Sequence, residues 1–525
     1  MTEEEHQKAM KRNLWTYPIG TVGRDMIYQL FTNYILTFAL FTRELSAAQL
    51  AAITGIMIGA RIFDAFNDPI MGNIIESTRT RWGKFKPWLL AGILSTSLVV
   101  IYIFNTRLTG WPFIIAFGIC YFLYSITYTM NDISYWGMWG MAPSLGRDAN
   151  SRNEFTARAT LFAGIGATLA TVAIPALTAG SGTIGGNAQT AYGILAIAIC
   201  VFAPLCLCVT IFGVKEDLSY QAEERPKVSF RTILSTIFGN RQLVIAALIF
   251  LLQQIGNQII MGGVGSTYIY FEFGYNGGLY SVFTIVGMAA TAVLMVGYPA
   301  ISRKIDRKPL MTIMMIVSSV GYVLLLVSGL ILPAASSAKF AGITIGYMLA
   351  NFGSYCFYLV MMISIFNTVE YNELTRGFRG EGIITSLRPF ITKVASAIIV
   401  GITTLTYVSC GVLHYTNQIS AYEQQSNQGK IDAAAKTAAI DAVVREVGSG
   451  QKTGLLLVMS IVPFLFMLIA WLLYEKKYRL DETTYRQICE VIEKRRARAE
   501  AEGLTEAEYI RKYGNEAEQI PGLKQ

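Results

Sequence analysis

Apolar residues in this chain fall into long unbroken runs divided by short polar loops. A helix that crosses a bilayer needs roughly 20 apolar residues. About twelve stretches meet that length, near 15–42, 47–76, 87–105, 111–141, 155–178, 190–214, 241–271, 278–301, 310–332, 340–369, 382–412 and 453–474. Several are longer than the hydrocarbon core requires, which predicts tilt or extension past the headgroups. The pattern predicts an all-α membrane protein of twelve transmembrane helices in two six-helix bundles. Residues 1–214 form the first bundle, 215–240 a polar linker, 241–477 the second bundle and 478–525 a charged tail. The second bundle is interrupted by a long polar loop, 413–452, with a helix-favouring stretch near 431–447. Loop and tail both read as solvated caps. The N-terminal segment is polar and no cleavage site follows it, so no secretory signal is expected.

Composition agrees: 53% of the 525 residues are hydrophobic and only 15% are charged, and the mean hydropathy is +0.43. A soluble domain rarely carries so little charge. The basic residues gather in alternate loops. Arg79, Arg81, Lys84 and Lys86 follow the second span, Lys215, Arg225, Lys227 and Arg231 the sixth, Arg303, Lys304, Arg307 and Lys308 the eighth, and Lys476, Lys477 and Arg479 the twelfth. The intervening loops hold little beyond Arg43, Arg107 and Lys339. The positive-inside rule then predicts a multi-pass protein of the cell (plasma) membrane, a bacterial inner membrane, with both termini cytoplasmic. Topology explains the net charge of +8, and no nucleic-acid partner is implied. Most of the seven cysteines lie in apolar spans without metal spacing, and His6 and His414 lie outside them. Gly180, Gly182 and Gly185 fit a dinucleotide fingerprint formally, but in a turn with no strand before it. No enzyme activity and no cofactor are expected.

The informative residues are charges placed where charge is expensive, at least about 2.5 kcal/mol at a helix centre. Asp64, Asn67 and Asp68 in the second span are spaced i, i+3, i+4 and share a helix face. Two carboxylates that close repel unless a cation sits with them or one holds a proton. Their oxygens suit sodium, with Asp64 and Asp68 as the metal ligands, or a proton. A helix-end cap or an ion pair with Arg61 is the plainer alternative. In the fourth span Tyr128, Asp132 and Trp136 repeat every four residues, with Thr129 beside them. A carboxylate next to an indole suits a polyhydroxylated ligand, whose hydroxyls the acid accepts and whose apolar face the ring covers. A packing stripe with one buried, paired acid is the alternative. The first span adds Arg24 and Asp25, the fifth Arg158, and the eleventh Arg388 and Lys393. Arg158 can pair with Glu154, and Arg388 with Glu381. Four acids and four bases from five helices point to a hydrated central cavity.

These residues sit in motifs. Arg61–Trp88 reads RIFDAFNDPIMGNIIESTRTRWGKFKPW. GRDM stands at Gly23–Met26, YTMNDISYW at Tyr128–Trp136 and VEYNELTRGFRGEG at Val369–Gly382, with Lys393 beyond. The chain thereby resembles the glycoside–pentoside–hexuronide:cation symporters, the melibiose permease-like branch of the major facilitator superfamily, over nearly all twelve spans. The resemblance implies alternating-access symport of a glycoside, pentoside or hexuronide with sodium or a proton. It implies a cation site at Asp64, Asn67, Asp68 and Thr129. It implies a sugar site at Arg24, Asp25, Tyr128, Asp132, Trp136 and Arg158, with Lys393 close to both. The expected partners are a small sugar, a monovalent cation and the bilayer, and the expected state is a monomer. Thr32, Tyr358 and Arg388 depart from the melibiose permease pattern, where an aromatic, a tryptophan and a glutamine stand, so they bear on which sugar is carried. Arg388, if it faces the ligand, fits an acidic sugar. A cation-coupled lysolipid transporter of the same fold is the alternative; Asp25, Asp132 and Trp136 speak for a soluble, hydroxyl-rich ligand.

Overall fold

The computed structural model describes residues 3–140, 149–214, 230–504, 506–514 and 520–523. Among them the chain is helical and forms no strand. The helices are α1 (Glu3–Tyr28), α2 (Tyr34–Thr42), α3 (Ala47–Ser77), α4 (Lys86–Asn105), α5 (Gly110–Gly140), α6 (Ala149–Thr178) and α7 (Ala188–Gly213). Then come α8 (Phe230–Gly239), α9 (Arg241–Gln258), α10 (Gly265–Phe273), α11 (Gly277–Ser302), α12 (Arg307–Ile331), α13 (Ser337–Arg376) and α14 (Glu381–Ser409). The last are α15 (Val412–Asn427), α16 (Ala433–Glu446), α17 (Ser449–Lys477), α18 (Glu482–Ala501) and α19 (Glu506–Tyr513). Contacts group the chain into two units. One holds residues 1–225, 261–285 and 400–455; the other holds 226–260, 286–399 and 456–525.

Eleven helical segments among the described residues are long and apolar enough to cross a bilayer. The first predicted span is not one of them, because polar residues such as Arg24 and Asp25 lower its hydropathy. A π turn at Gln29–Asn33 divides α1 from α2. The helical run from Glu3 to Thr42 is nevertheless continuous through that turn. A second π turn, Ile260–Val264, joins α9 to α10 and places Gly263 at a φ of 116° that only glycine adopts readily. Large apolar side chains such as Leu98 (69% exposed), Val293 (71%) and Leu405 (68%) point outward. That is the surface a chain presents when lipid, not water, surrounds it.

The polar loop after α14 is not a solvated cap. It folds as α15 and α16 and packs, within the first unit, over the ends of α2 and α7. Asn417 holds both backbone groups of Leu45, donating to its carbonyl at 2.8 Å and accepting from its N–H at 2.9 Å. Gln424 donates to the Thr42 carbonyl. Glu423 is fully buried, accepts the Ala188 N–H at the start of α7 at 2.7 Å and pairs with buried Lys436 at 3.3 Å. Lys436 also donates to the Gly186 carbonyl at 2.8 Å. An acid at a helix N-terminus meets both the free N–H groups and the favourable end of the helix dipole.

The tail is fastened in the same manner within the second unit. Arg495 of α18 is 0% exposed and donates to the Glu373 and Leu374 carbonyls, each at 2.8 Å, which caps the C-terminus of α13. Arg496 and Arg379 pair with buried Glu373, and Arg307 at the start of α12 pairs with Glu482.

Burial raises the Glu423 carboxyl above its ordinary value of 4.5, against the opposing pull of Lys436 and the Ala188 N–H. The packed loop therefore holds that proton more tightly than the loosened loop. Its stability is full below about pH 4.5 and declines as pH rises through the raised value. Hydrogen exchange over residues 412–446, corrected for intrinsic rates, is expected to show protection falling as pH climbs. Glu423→Gln, whose amide resembles the protonated carboxyl, should stay close to wild type at low pH and should flatten the dependence. A pH-independent wild type would contradict this account.

Candidate functional site

The predicted site residues of the first unit lie on α1, α3, α5 and α6. Helix α1 packs against α6 and α7, and two glycines make that approach possible. A Cβ on Gly23 would lie 2.3 Å from the Ala203 Cα of α7, and one on Gly166 of α6 would lie 2.2 Å from the Val22 carbonyl oxygen. The residue after Gly23 is Arg24, which this packing presses into the bundle at 3% exposure.

Arg24 joins two acids from two helices. Its Nη2 donates to Asp25 Oδ2 at 2.9 Å, and its Nη1 faces Asp132 Oδ1 of α5 at 3.3 Å. Its guanidinium lies 4.9 Å from the Tyr135 ring centroid and 5.2 Å from that of Trp136. The aromatic walls are thus filled by a cation, which they favour electrostatically. The Asp25 side chain is 18% exposed and that of Asp132 42%. Asp132 makes no other ion pair or hydrogen bond among the described residues, so it keeps acceptor capacity. It is paired, as the packing-stripe alternative requires, but it is not buried. Tyr128 stacks on Tyr124 at 5.2 Å and meets Tyr28 at 5.7 Å. Arg158 lies over the Trp15 ring at 4.8 Å; the side chain of Glu154, its suggested partner, lies outside the described residues.

The candidate cation residues form two rungs between α3 and α5. Ser125 donates to Asp64 Oδ1, and Thr129 donates to Asp68 Oδ1 at 3.1 Å. Both pairs step forward by four residues, so α3 and α5 run parallel here and match turn for turn. Asp64 is buried and its Oδ2 also meets Arg61 at 3.6 Å, so the predicted alternative of an ion pair is realised at that residue. Asp68 is half-buried. Asn67 is 6% exposed, and its Nδ2 has no hydrogen-bond partner among the described residues. Pro69 lies inside α3 and has no N–H, so the Ala65 carbonyl loses its in-helix donor. A carboxylate, a hydroxyl, an amide and a loosened carbonyl on neighbouring turns are the hard oxygen donors that sodium takes.

Arg388 and Lys393 lie on α14 in the second unit. Arg388 is exposed and donates to the Tyr358 hydroxyl of α13 at 2.7 Å. Two of the three departures from the family pattern therefore bond to each other. Glu381, the other proposed partner of Arg388, has its side chain outside the described residues. Lys393 is half-buried.

Ser125, Tyr135, Trp15 and the Ala65 carbonyl were not singled out by sequence. Ser125 was findable, because it stands four residues before Thr129 as Asp64 stands four before Asp68. Trp15 and Tyr135 carry no comparable signal.

The profile described as MFS/sugar transport protein matches residues 16–482. The lactose permease of Lactobacillus helveticus is 28% identical over 402 residues, covering 73% of this chain and 60% of that protein. The raffinose carrier protein of Pediococcus pentosaceus is 27% identical, covering 76% of this chain and 63% of that one. A glucuronide carrier protein homolog of Escherichia coli K12 is 25% identical, covering 75% and 82%. The chain thus spans about three-fifths of the length of the first two relatives. Among solved structures, the nucleoside transporter NupG superposes with a TM-score of 0.55 at 12% identity, covering 89% of this chain and 100% of that one. That likeness is one of fold.

If Gly23 sets the clamp, Gly23→Val should push α1 off α7 and displace Arg24. Overpacking of this kind costs roughly 1–3 kcal/mol. The thermal unfolding midpoint and ligand affinity of the variant are expected to fall together, and a variant with wild-type values in both would show that α1 tolerates a side chain there.

Proposed function

The chain belongs to the MFS/sugar transport protein family, and from that footing we propose that it is a symporter that moves a neutral glycoside together with sodium or a proton. The resemblance to the glycoside–pentoside–hexuronide:cation symporters holds at the level of this family, whose members are membrane transporters and not enzymes. The observation that carries the sugar reading is the Arg24 clamp. It leaves Asp132 partly open as an acceptor, one helical turn from Trp136, whose ring meets the Arg24 guanidinium.

Charge supports a neutral ligand. In the first unit Asp25, Asp64, Asp68 and Asp132 face Arg24, Arg61 and Arg158. With all seven ionised, one negative charge remains, and one monovalent cation cancels it. Arg61 belongs in this balance, although the sequence-level count of four acids and four bases omitted it. Arg388 is engaged by Tyr358, which weakens its case as a clamp for an acidic sugar. The names of the lactose and raffinose relatives agree with a neutral substrate, and nothing favours a lysolipid.

The proposed coupling runs along α5. A cation held by Asp68, Asn67, Thr129 and the Ala65 carbonyl, with Asp64 behind them, fixes α3 against α5. Asp132 lies one turn beyond Thr129 on the same helix, so the ion sets the acid that receives the sugar. Coupling of this kind is reciprocal: sugar tightens the cation by the factor by which the cation tightens sugar. Alternating access follows if only the empty and doubly loaded carriers reorient. The basic loops place both termini in the cytoplasm in this proposal.

A carboxylate that accepts sugar hydroxyls contributes about 1.5–3 kcal/mol per charged hydrogen bond. Asp132→Asn is therefore expected to weaken glycoside binding at least tenfold by titration calorimetry; unchanged affinity would make Asp132 structural. In a competition assay a glucoside should outcompete its glucuronide, and Arg388→Gln should leave that ranking in place. The opposite ranking, reversed by Arg388→Gln, would identify an acidic substrate.

The cation arm is separable. Asp68→Cys should abolish sodium- or proton-stimulated uptake while sugar binding and exchange persist. Full ion stimulation in Asp68→Cys would remove the coupling ion from this part of α3.

A further inference from the structure

The second unit contains a basic cavity that the transport reading does not use. It has a volume of about 210 Å³ and lies where α9 begins and α17 ends. Its lining includes Arg241, Lys476, Lys477, Arg479, Tyr371 and Gln242. Part of it is built rigidly. The Arg479 N–H donates to the buried Gln242 Oε1 at 2.9 Å, and Arg479 Nη1 donates to the Leu523 carbonyl at 3.3 Å. The chain after α17 is thereby folded back against α9. Tyr371 comes from α13, close to its C-terminal end.

Basic residues at this level of a membrane helix need no ligand to explain them, since the positive-inside bias alone supplies them. Their arrangement here asks for more. Four cations from two helix ends line one concavity instead of fanning into water. Arg241, Lys476 and Lys477 form no ion pair among the described residues. The first turn of α9, an 18-residue helix, adds the positive end of its dipole, with Asn240 capping only the Leu243 N–H. Like charges held this close repel, and an anion entering the cavity relieves that repulsion while taking hydrogen bonds from guanidinium and ammonium groups.

We propose that this cavity binds a phosphate group, as an anionic lipid headgroup or as free phosphate. Its place at the ends of two bilayer-crossing helices is the level at which headgroups lie. Arg241 and Arg479 supply forked donors to the phosphate oxygens, and Lys476 and Lys477 close over it as flexible point charges.

The test uses the full chain in a neutral detergent. Phosphatidylglycerol, phosphatidylcholine and inorganic phosphate are titrated separately at constant ionic strength and read by native mass spectrometry and microscale thermophoresis. Arg241→Gln and the exposed pair Lys476→Gln with Lys477→Gln are compared with Lys304→Gln, a basic residue outside the cavity. Unfolding midpoints are checked to confirm that each variant folds. Saturable binding of phosphatidylglycerol, at least tenfold tighter than phosphatidylcholine and weakened at least fivefold by either cavity variant but not by Lys304→Gln, supports a headgroup site. The same pattern with inorganic phosphate and not with lipid supports a soluble ligand. Absence of saturable binding by both phosphates overturns the proposal, as does equal loss from Lys304→Gln, which would reduce the effect to general surface charge. Wild-type binding in folded cavity variants also overturns it.

Discussion

A guanidinium inside a membrane-spanning bundle needs partners that replace its lost water, and at Arg24 those partners are two acids, a requirement that organises the first unit. Removing either partner would strand a charge where water cannot solvate it. The clamp therefore needs α1 and α5 in one register, since Asp25 comes from the first and Asp132 from the second. The glycines that let α1 approach α6 and α7 serve the same end, because a bulkier contact would move Arg24 away from α5. Tyr17 and Tyr135 reinforce the register: their rings stack at 4.5 Å, and each hydroxyl donates to the other's backbone carbonyl. The π turn begins four residues beyond Asp25, a defect in α1 immediately past the point where the helix is held hardest. Such turns often mark functional sites.

The second organising element is the ladder between α3 and α5. Parallel helices whose polar residues repeat every four positions stay matched over successive turns, so Ser125 meets Asp64 and Thr129 meets Asp68 by one geometry. Pro69 then interrupts the backbone pattern at the second rung. That asymmetry matters. The first rung is closed by Arg61 and Ser125, whereas the second lies beside an amide and a carbonyl freed from its usual donor.

Much of this was legible in sequence, for physical reasons. Apolar runs of bilayer length have few alternative readings, so twelve spans could be drawn, and among the described residues only the one carrying Arg24 and Asp25 is too polar to qualify by composition. Buried charges announce themselves because they are costly. Their partners do not. Tyr135 looks like an ordinary helix residue, and only the packing of α5 reveals what it touches. The helix near 431–447 was legible, as α16 shows, but the packing of 412–446 and of the tail was not, for a related reason. Their attachment rests on a few buried polar side chains, such as Glu423, Lys436 and Arg495, and not on an apolar stripe. In sequence those residues are indistinguishable from the charges of a solvated surface.

Exposure now separates charges that hold the fold from charges placed to meet a ligand, a distinction that spacing alone cannot make. The Glu423 and Arg495 side chains have no exposed surface, and that of Asp64 is 3% exposed. Each of these is surrounded by fixed protein partners, so exchanging a partner for a ligand would break structure. Asp25 and Asp132, at 18% and 42%, retain open surface while Arg24 anchors them, so a ligand can add contacts without removing any. Asp64 and Asp68 looked equivalent in the sequence, as two carboxylates on one face. They are not equivalent in the structure. Asp64 already has a cation, Arg61, and acts through position and charge. Asp68 accepts the Thr129 hydroxyl and is less deeply buried than Asp64, so an incoming cation would share that hydroxyl's lone pairs. In the proposed symport the energetic burden of coupling falls on Asp68 and Thr129, and from there on the single turn of α5 that separates Thr129 from Asp132.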